Sequence, residues 1–170
     1  MIWLVILSML VIAAYTAAVC VKQGGVPASI SATFYKLEHK HWFMVTTWFT
    51  AGLLMPAILE VSKSDTEFLA FLSCIGMLMV GAAPNFKDEF EGKVHTAGAI
   101  LCIAGSQLWV ACNCPWCLTV WLAYIIYTLA MMPRHVSDSI ITDFLRTKPM
   151  FWIEIAALSA TYASILVAGL

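Results

Sequence analysis

Eight of the nine basic residues fall in alternate connections between long apolar stretches, and that alternation limits what this chain can fold into. Six apolar runs occupy about residues 2–20, 41–60, 67–85, 94–112, 115–132 and 149–169. Lys22, Lys36 and Lys40 lie in the first connection, Lys87 and Lys93 in the third, and Arg134, Arg146 and Lys148 in the fifth. Lys63 stands alone in the second connection, and neither the fourth connection nor either end carries a base. Short loops rich in Lys and Arg are retained in the cytoplasm. The pattern predicts an all-α polytopic membrane protein: a six-helix transmembrane bundle in one domain, residues 1–170, with both termini outside.

Composition agrees. Of the 170 residues, 62% are hydrophobic and 11% charged, against roughly 45–50% and about 25% in soluble domains. Six spans of about 20 residues each leave little chain for a soluble domain. The net charge of -1 gives no electrostatic footprint for nucleic acid. The expected partners are the lipid bilayer, a small solute or ion, and a second copy or another membrane protein. Ile2 to Cys20 has no basic residue before it and a poor cleavage site at Ala17-Ala18-Val19, so it reads as a retained span. Trp3, Trp42, Trp109, Trp116 and Trp152 fall near span ends, where rings favour the headgroup region. Trp48 and Trp121 are expected between helices. Ile30, Phe34, Leu37 and His41 recur at helical spacing behind Ser29, a candidate N-cap. Val136, Ile140 and Phe144 repeat that pattern in the fifth connection. Both suggest short helices at the cytoplasmic interface, or extensions of the next span.

Ionisable residues inside spans are rare and face the bundle interior or a wet cavity. Glu154 is such a residue, about one turn into the last span. Glu154, Ala157, Thr161, Ser164 and Ala168 share one face, and small, weakly polar residues mark packed faces in membranes. The alternatives are a carboxylate hydrated at the interface or paired with a base of the fifth connection. His95 opens the fourth span on a similar face with Gly98, Cys102, Gly105 and Ser106. Asn85, in the break Ala82-Ala83-Pro84-Asn85-Phe86, is expected near His95. Glu154, His95 and Asn85 are therefore the candidate ligand or proton site. All four histidines are expected at the cytoplasmic side, so His95, Asp88 and His135 form an alternative metal site, without a known metal-binding spacing. No motif assigns a cofactor.

Cys112, Cys114 and Cys117 cluster at the outer turn, and Cys114-Pro115-Trp116-Cys117 has the C-x-x-C spacing that permits disulfide exchange. This is similar to membrane thiol oxidoreductases of the vitamin K epoxide reductase and disulfide-bond-B kinds. Those use a second cysteine pair in an outer loop, whereas residues 60–67 here have none. Under that resemblance Cys114 and Cys117 are the alternative catalytic residues; otherwise they are structural thiols or a structural disulfide. Residues 81–99, from Gly81-Ala82-Ala83-Pro84 to His95-Thr96-Ala97-Gly98-Ala99, resemble a junction in small six-span bacterial and phage membrane proteins. They are also similar to the Frag1/DRAM/Sfk1 group, whose terminal orientation is the opposite of that read here. The resemblance implies a multi-pass protein of the bacterial inner membrane and no particular activity. Alkaline ceramidase-like hydrolases are a further comparison, but their paired-His motif is absent. The leading expectation is a small binding or transport protein with a cavity open to the cytoplasm. A membrane enzyme, by the thiol route or as a metal-dependent hydrolase, is the alternative, and an accessory subunit of a membrane complex the third.

Overall fold

The computed structural model describes residues 1–132 and 139–169. The secondary structure of these residues is entirely helical: α1 (Ile2–Gln23), α2 (His41–Val61), α3 (Glu67–Ala82), α4 (Glu89–Asn113), α5 (Val120–Met131), α6 (Ile140–Arg146) and α7 (Pro149–Ala168). Two 3₁₀ turns join them, Ser31–Lys36 and Pro115–Thr119. α1, α2, α4 and α7 are each long and apolar enough to cross a membrane, while α3 and the Pro115–Met131 segment are apolar but shorter. Those lengths and that composition are those of a membrane protein.

Proline accounts for both shorter segments. The residue before a proline is pushed out of the α region, and Ala83, ahead of Pro84, has φ -120° and ψ 63°. α3 therefore stops at Ala82 rather than running to residue 85. Pro115 starts a 3₁₀ turn, so the α-helix of the fifth apolar run begins only at Val120. α1 ends differently. Gly24 adopts φ +66°; its N–H bonds Val21 O at 3.1 Å and that of Gly25 bonds Cys20 O at 3.0 Å. This is a Schellman cap, and glycine enters that left-handed region without the Cβ penalty.

The connections sort by end. At one end Lys63 N donates to Asn113 Oδ1 at 3.1 Å, Lys63 Nζ to Cys112 O at 2.6 Å, and Asn113 Nδ2 to Thr66 Oγ1 at 3.0 Å. The amino terminus lies 3.8 Å from Glu60 there. At the other end Tyr35 of the first connection donates to Asn85 Oδ1 at 3.2 Å and accepts from Lys87 N at 2.8 Å. Phe151 N donates to Ala28 O at 3.2 Å, joining the first connection to the start of α7. Lys22, Lys36, Lys40, Lys87, Lys93, Arg146 and Lys148 belong to this second, basic end.

α3 and α4 approach most closely through glycines. A Cβ on Gly76 would lie 2.4 Å from Cys102 N and 2.5 Å from Gly98 O, so only glycine fits the crossing. Trp3, Trp42 and Trp116 are exposed as an interfacial belt requires, but Trp109 is fully buried and its Nε1 donates to Ser62 Oγ at 2.7 Å. Trp121 donates to Gln107 Oε1 at 2.8 Å, and Trp48, though partly exposed, to Leu78 O at 3.0 Å. The first connection forms a short 3₁₀ helix, Ser31–Lys36, and not an extension of α2, which starts at His41. Ile30 and Phe34 are buried, Ser29 Oγ accepts from Ala32 N at 2.9 Å, and His41 opens α2. α6 buries none of its residues, leaving Ile140, Ile141 and Leu145 outward; Val136 lies outside the described residues.

Candidate functional site

Glu154 extends from the first turns of α7 beneath the first connection. Its carboxylate accepts from the backbone N–H of Ile30 and, at 3.4 Å, from the Ser31 hydroxyl. The Ile30 N–H is one of the unsatisfied donors at the start of the Ser31–Lys36 turn, where a negative group meets the positive end of aligned peptide dipoles. Ala157, Thr161 and Ser164, on the same face of α7, are buried. Neither Arg146 nor Lys148 pairs with Glu154; Arg146 turns to Asp143 at 4.0 Å. Among the described residues the partners of Glu154 are thus groups of the first connection, not Arg146 or Lys148 of the fifth; Arg134 lies outside the described residues.

Next to this contact is a cavity of about 90 Å³. Glu154 and Ser31 lie at its basic end, and Thr47, Ser73, Cys102 and Thr161 carry it towards the middle of the bundle. The other described lining side chains are mostly apolar, among them Phe43, Met77 and Ile103, and none of them is basic. Liquid water occupies about 30 Å³ per molecule, so the space matches about three waters. A wider groove of about 540 Å³ between α1 and α7 shares Ile12 and Leu158 with the cavity. Those two side chains stand between them.

The two ends of the bundle close differently. Far from the basic end, Trp109, Ser62, Asn113, Thr66 and Lys63 form a continuous hydrogen-bonded group. At the basic end the cover is residues 26–37, a strap held by Glu154, by Tyr15 OH against Thr33 Oγ1 at 2.5 Å, and by Tyr35 on Asn85. At its start are Gly24 and Gly25, where an added Cβ would meet nothing within 4 Å.

His95 and Asn85 do not line the cavity. His95 is buried with Nδ1 2.9 Å from Ala83 O, and its ring lies 5.0 Å from that of Phe86. It completes the hydrogen bonding of the end of α3 that Pro84 cuts short. Asn85 anchors Tyr35, and its N–H bonds Glu91 Oε2 at 3.0 Å. Asp88 caps α4, accepting from Phe90 N at 2.9 Å and Glu91 N at 3.0 Å. Among the described residues no three His, Cys, Asp or Glu side chains are grouped to hold a metal ion. His135 lies outside the described residues.

Cys114 and Cys117 bring their Sγ atoms to 3.1 Å as thiols, because the Pro115–Thr119 turn folds Cys117 N back onto Cys114 O at 2.9 Å. Cys117 is buried, Cys114 half-buried and Cys112 exposed. Cys74 and Cys102 lie in α3 and α4, away from this pair. Sequence reasoning missed Ser31, Thr47 and Ser73. The only sequence signal for them was hydroxyl side chains among apolar neighbours, shared by many positions that only pack. No family model, curated protein or solved structure matches the chain.

Proposed function

We propose that this chain is a six-span protein of the bacterial inner membrane, with both termini outside, that binds or transports a small solute or ion through the Glu154 cavity. The observation that carries the reading is a carboxylate lining a cavity inside an apolar bundle, held by the Ile30 N–H and the Ser31 hydroxyl and without a basic partner among the described residues. An ionised group in hydrocarbon costs several kcal/mol, and purely structural packing does not need one there. The basic end bears all the described Lys and Arg except Lys63, so the positive-inside rule makes it cytoplasmic. The strap covers this end, and access from the cytoplasm follows. His95 and Asn85 act as positioning residues, the first fixing the end of α3 and the second holding the strap through Tyr35. The outward apolar side chains of α5 and α6 contact lipid or a second copy.

A ligand that binds only the folded state raises Tm with its concentration. A panel of small solutes and salts added to the purified protein in detergent tests the reading. At least one is expected to raise Tm in the parent and to lose its effect in Ala99→Leu, which fills the cavity from α4. No response to any of them, or an equal response in the variant, contradicts it.

The 3.1 Å approach of Cys114 and Cys117 supports a second reading, a thiol oxidoreductase. Closing that disulfide releases two electrons and two protons, which a quinone or a partner disulfide would take up. Turnover of the pair with a quinone supports it; thiols inert to both leave only a structural role.

A further inference from the structure

We infer that the ligand of the Glu154 cavity is a small monovalent cation, of the size of an alkali ion or ammonium; the inference rests on reading the cavity as a binding site. Charge comes first. Ionised, Glu154 supplies one negative charge, and none of the described lining residues supplies a positive one. A single monovalent cation therefore leaves the occupied cavity neutral. A divalent ion would leave an uncompensated charge in a medium of low dielectric, and its usual ligand sets include more than one carboxylate or many oxygens.

The hydroxyl groups point the same way. Thr47 Oγ1 donates to Phe43 O at 2.9 Å, Ser73 Oγ to Cys102 O at 3.0 Å, Ser106 Oγ to Ile103 O at 3.0 Å and Thr161 Oγ1 to Ala157 O at 2.8 Å. Ser31 gives its hydrogen to Glu154. Each hydroxyl has one hydrogen to give and two lone pairs to offer. With the hydrogens committed to carbonyls and the carboxylate, these groups offer lone pairs to the cavity and few donors. Ser106 and Thr161 already accept from Gln107 Nε2 at 3.0 and 3.4 Å. Thr47, Ser73, Ser31 and Glu154 thus remain the main oxygens. Such a lining suits a cation, whether a metal ion that takes lone pairs or ammonium that gives hydrogens. An anion or a carbonyl-rich solute would find few donors, the Cys102 thiol being a weak one. The size of the cavity, about three waters, excludes a large organic cation.

The test is calorimetric titration of the purified protein with sodium, potassium and ammonium chloride, with N-methylglucamine chloride holding ionic strength constant. At least one small cation is expected to bind saturably, and N-methylglucamine is not. Glu154→Gln is expected to weaken that binding about tenfold or more. Ala99→Leu, which leaves the strap contacts intact, is expected to abolish it and serves if the Gln variant fails to fold. Comparing the three salts separates lone-pair coordination from hydrogen-bond donation. Binding of a neutral solute or an anion, with no response to any small cation, overturns the cation assignment and leaves the cavity reading standing. An equal response to N-methylglucamine also overturns it, as a general salt effect. If nothing binds and both variants titrate like the parent, the inference and the reading fall together.

Discussion

Glu154 has two tasks that substitutions separate. Its carboxylate closes the Ile30 N–H and the Ser31 hydroxyl and also lines a cavity. Glu154→Gln keeps a carbonyl acceptor but loses the charge, and charge-assisted bonds are roughly twice as strong as neutral ones. It is expected to cost about 1 kcal/mol of stability. Glu154→Leu leaves the Ile30 N–H and the Ser31 hydroxyl unsatisfied, at a cost of about 2–3 kcal/mol. Denaturation in mixed micelles measures both; equal stability of the Leu variant and the parent would mean that the strap contact contributes nothing. Gln107 gives a comparison beside the site, where its amide bonds Ser106, Ala157 and Thr161 of the cavity lining. Gln107→Leu orphans Trp121 Nε1, while Ala157 O keeps the Thr161 hydroxyl as its donor, and interhelical hydrogen bonds of this kind are worth about 0.6 kcal/mol, at most about 1.7. The loss should lie in that range, with ligand binding much less affected than by Glu154→Gln. The inward aim of Glu154 was legible in its small-residue face. Its partner was not, because the Ile30 donor is a backbone group 124 positions earlier, and backbone donors leave no mark in the choice of side chains.

At the scale of elements, α3 and α4 form the most tightly constrained pair. Gly76→Ala would drive a Cβ into the backbone of Cys102 and Gly98, which cannot move aside as a side chain tip can. Overpacking costs about 1–3 kcal/mol, and chemical denaturation of the variant in mixed micelles should show a loss of that size. The mild Ala substitution at Gly52, where nothing lies within 4 Å, should show no such loss. The His95 face, with its glycines, announced this packing in the sequence. The ends of α3 and α5 were harder to read. Hydropathy continues through Pro84 and Pro115, while the backbone does not, so apolar runs overestimate the helices wherever proline interrupts them. Trp109 was misplaced for a related reason: nearness to a span end says nothing of which way a ring faces, and this one turns inward to Ser62.

For the whole molecule, the sorting of charge was the most legible property. The described bases of the group read along the chain are gathered at one end of the bundle, with Lys63 at the other. Under the proposed six-span arrangement, cysteines introduced at positions 36 and 91 should react with impermeant reagents only from the cytoplasm, and one at 64 only from outside. A cytoplasmic position 64 would reverse the orientation. The central claim is that the cavity beside Glu154 is reached from the basic end, beneath the strap, and is sealed at the Trp109 end. Cys102 lines that cavity, so it can report on access directly. In a variant with all other cysteines replaced by alanine, a small polar thiol reagent should modify Cys102 from the side bearing Lys36 and Lys87. It should not do so from the side bearing Lys63. Modification from the Lys63 side, or from neither side of a folded protein, would contradict the account.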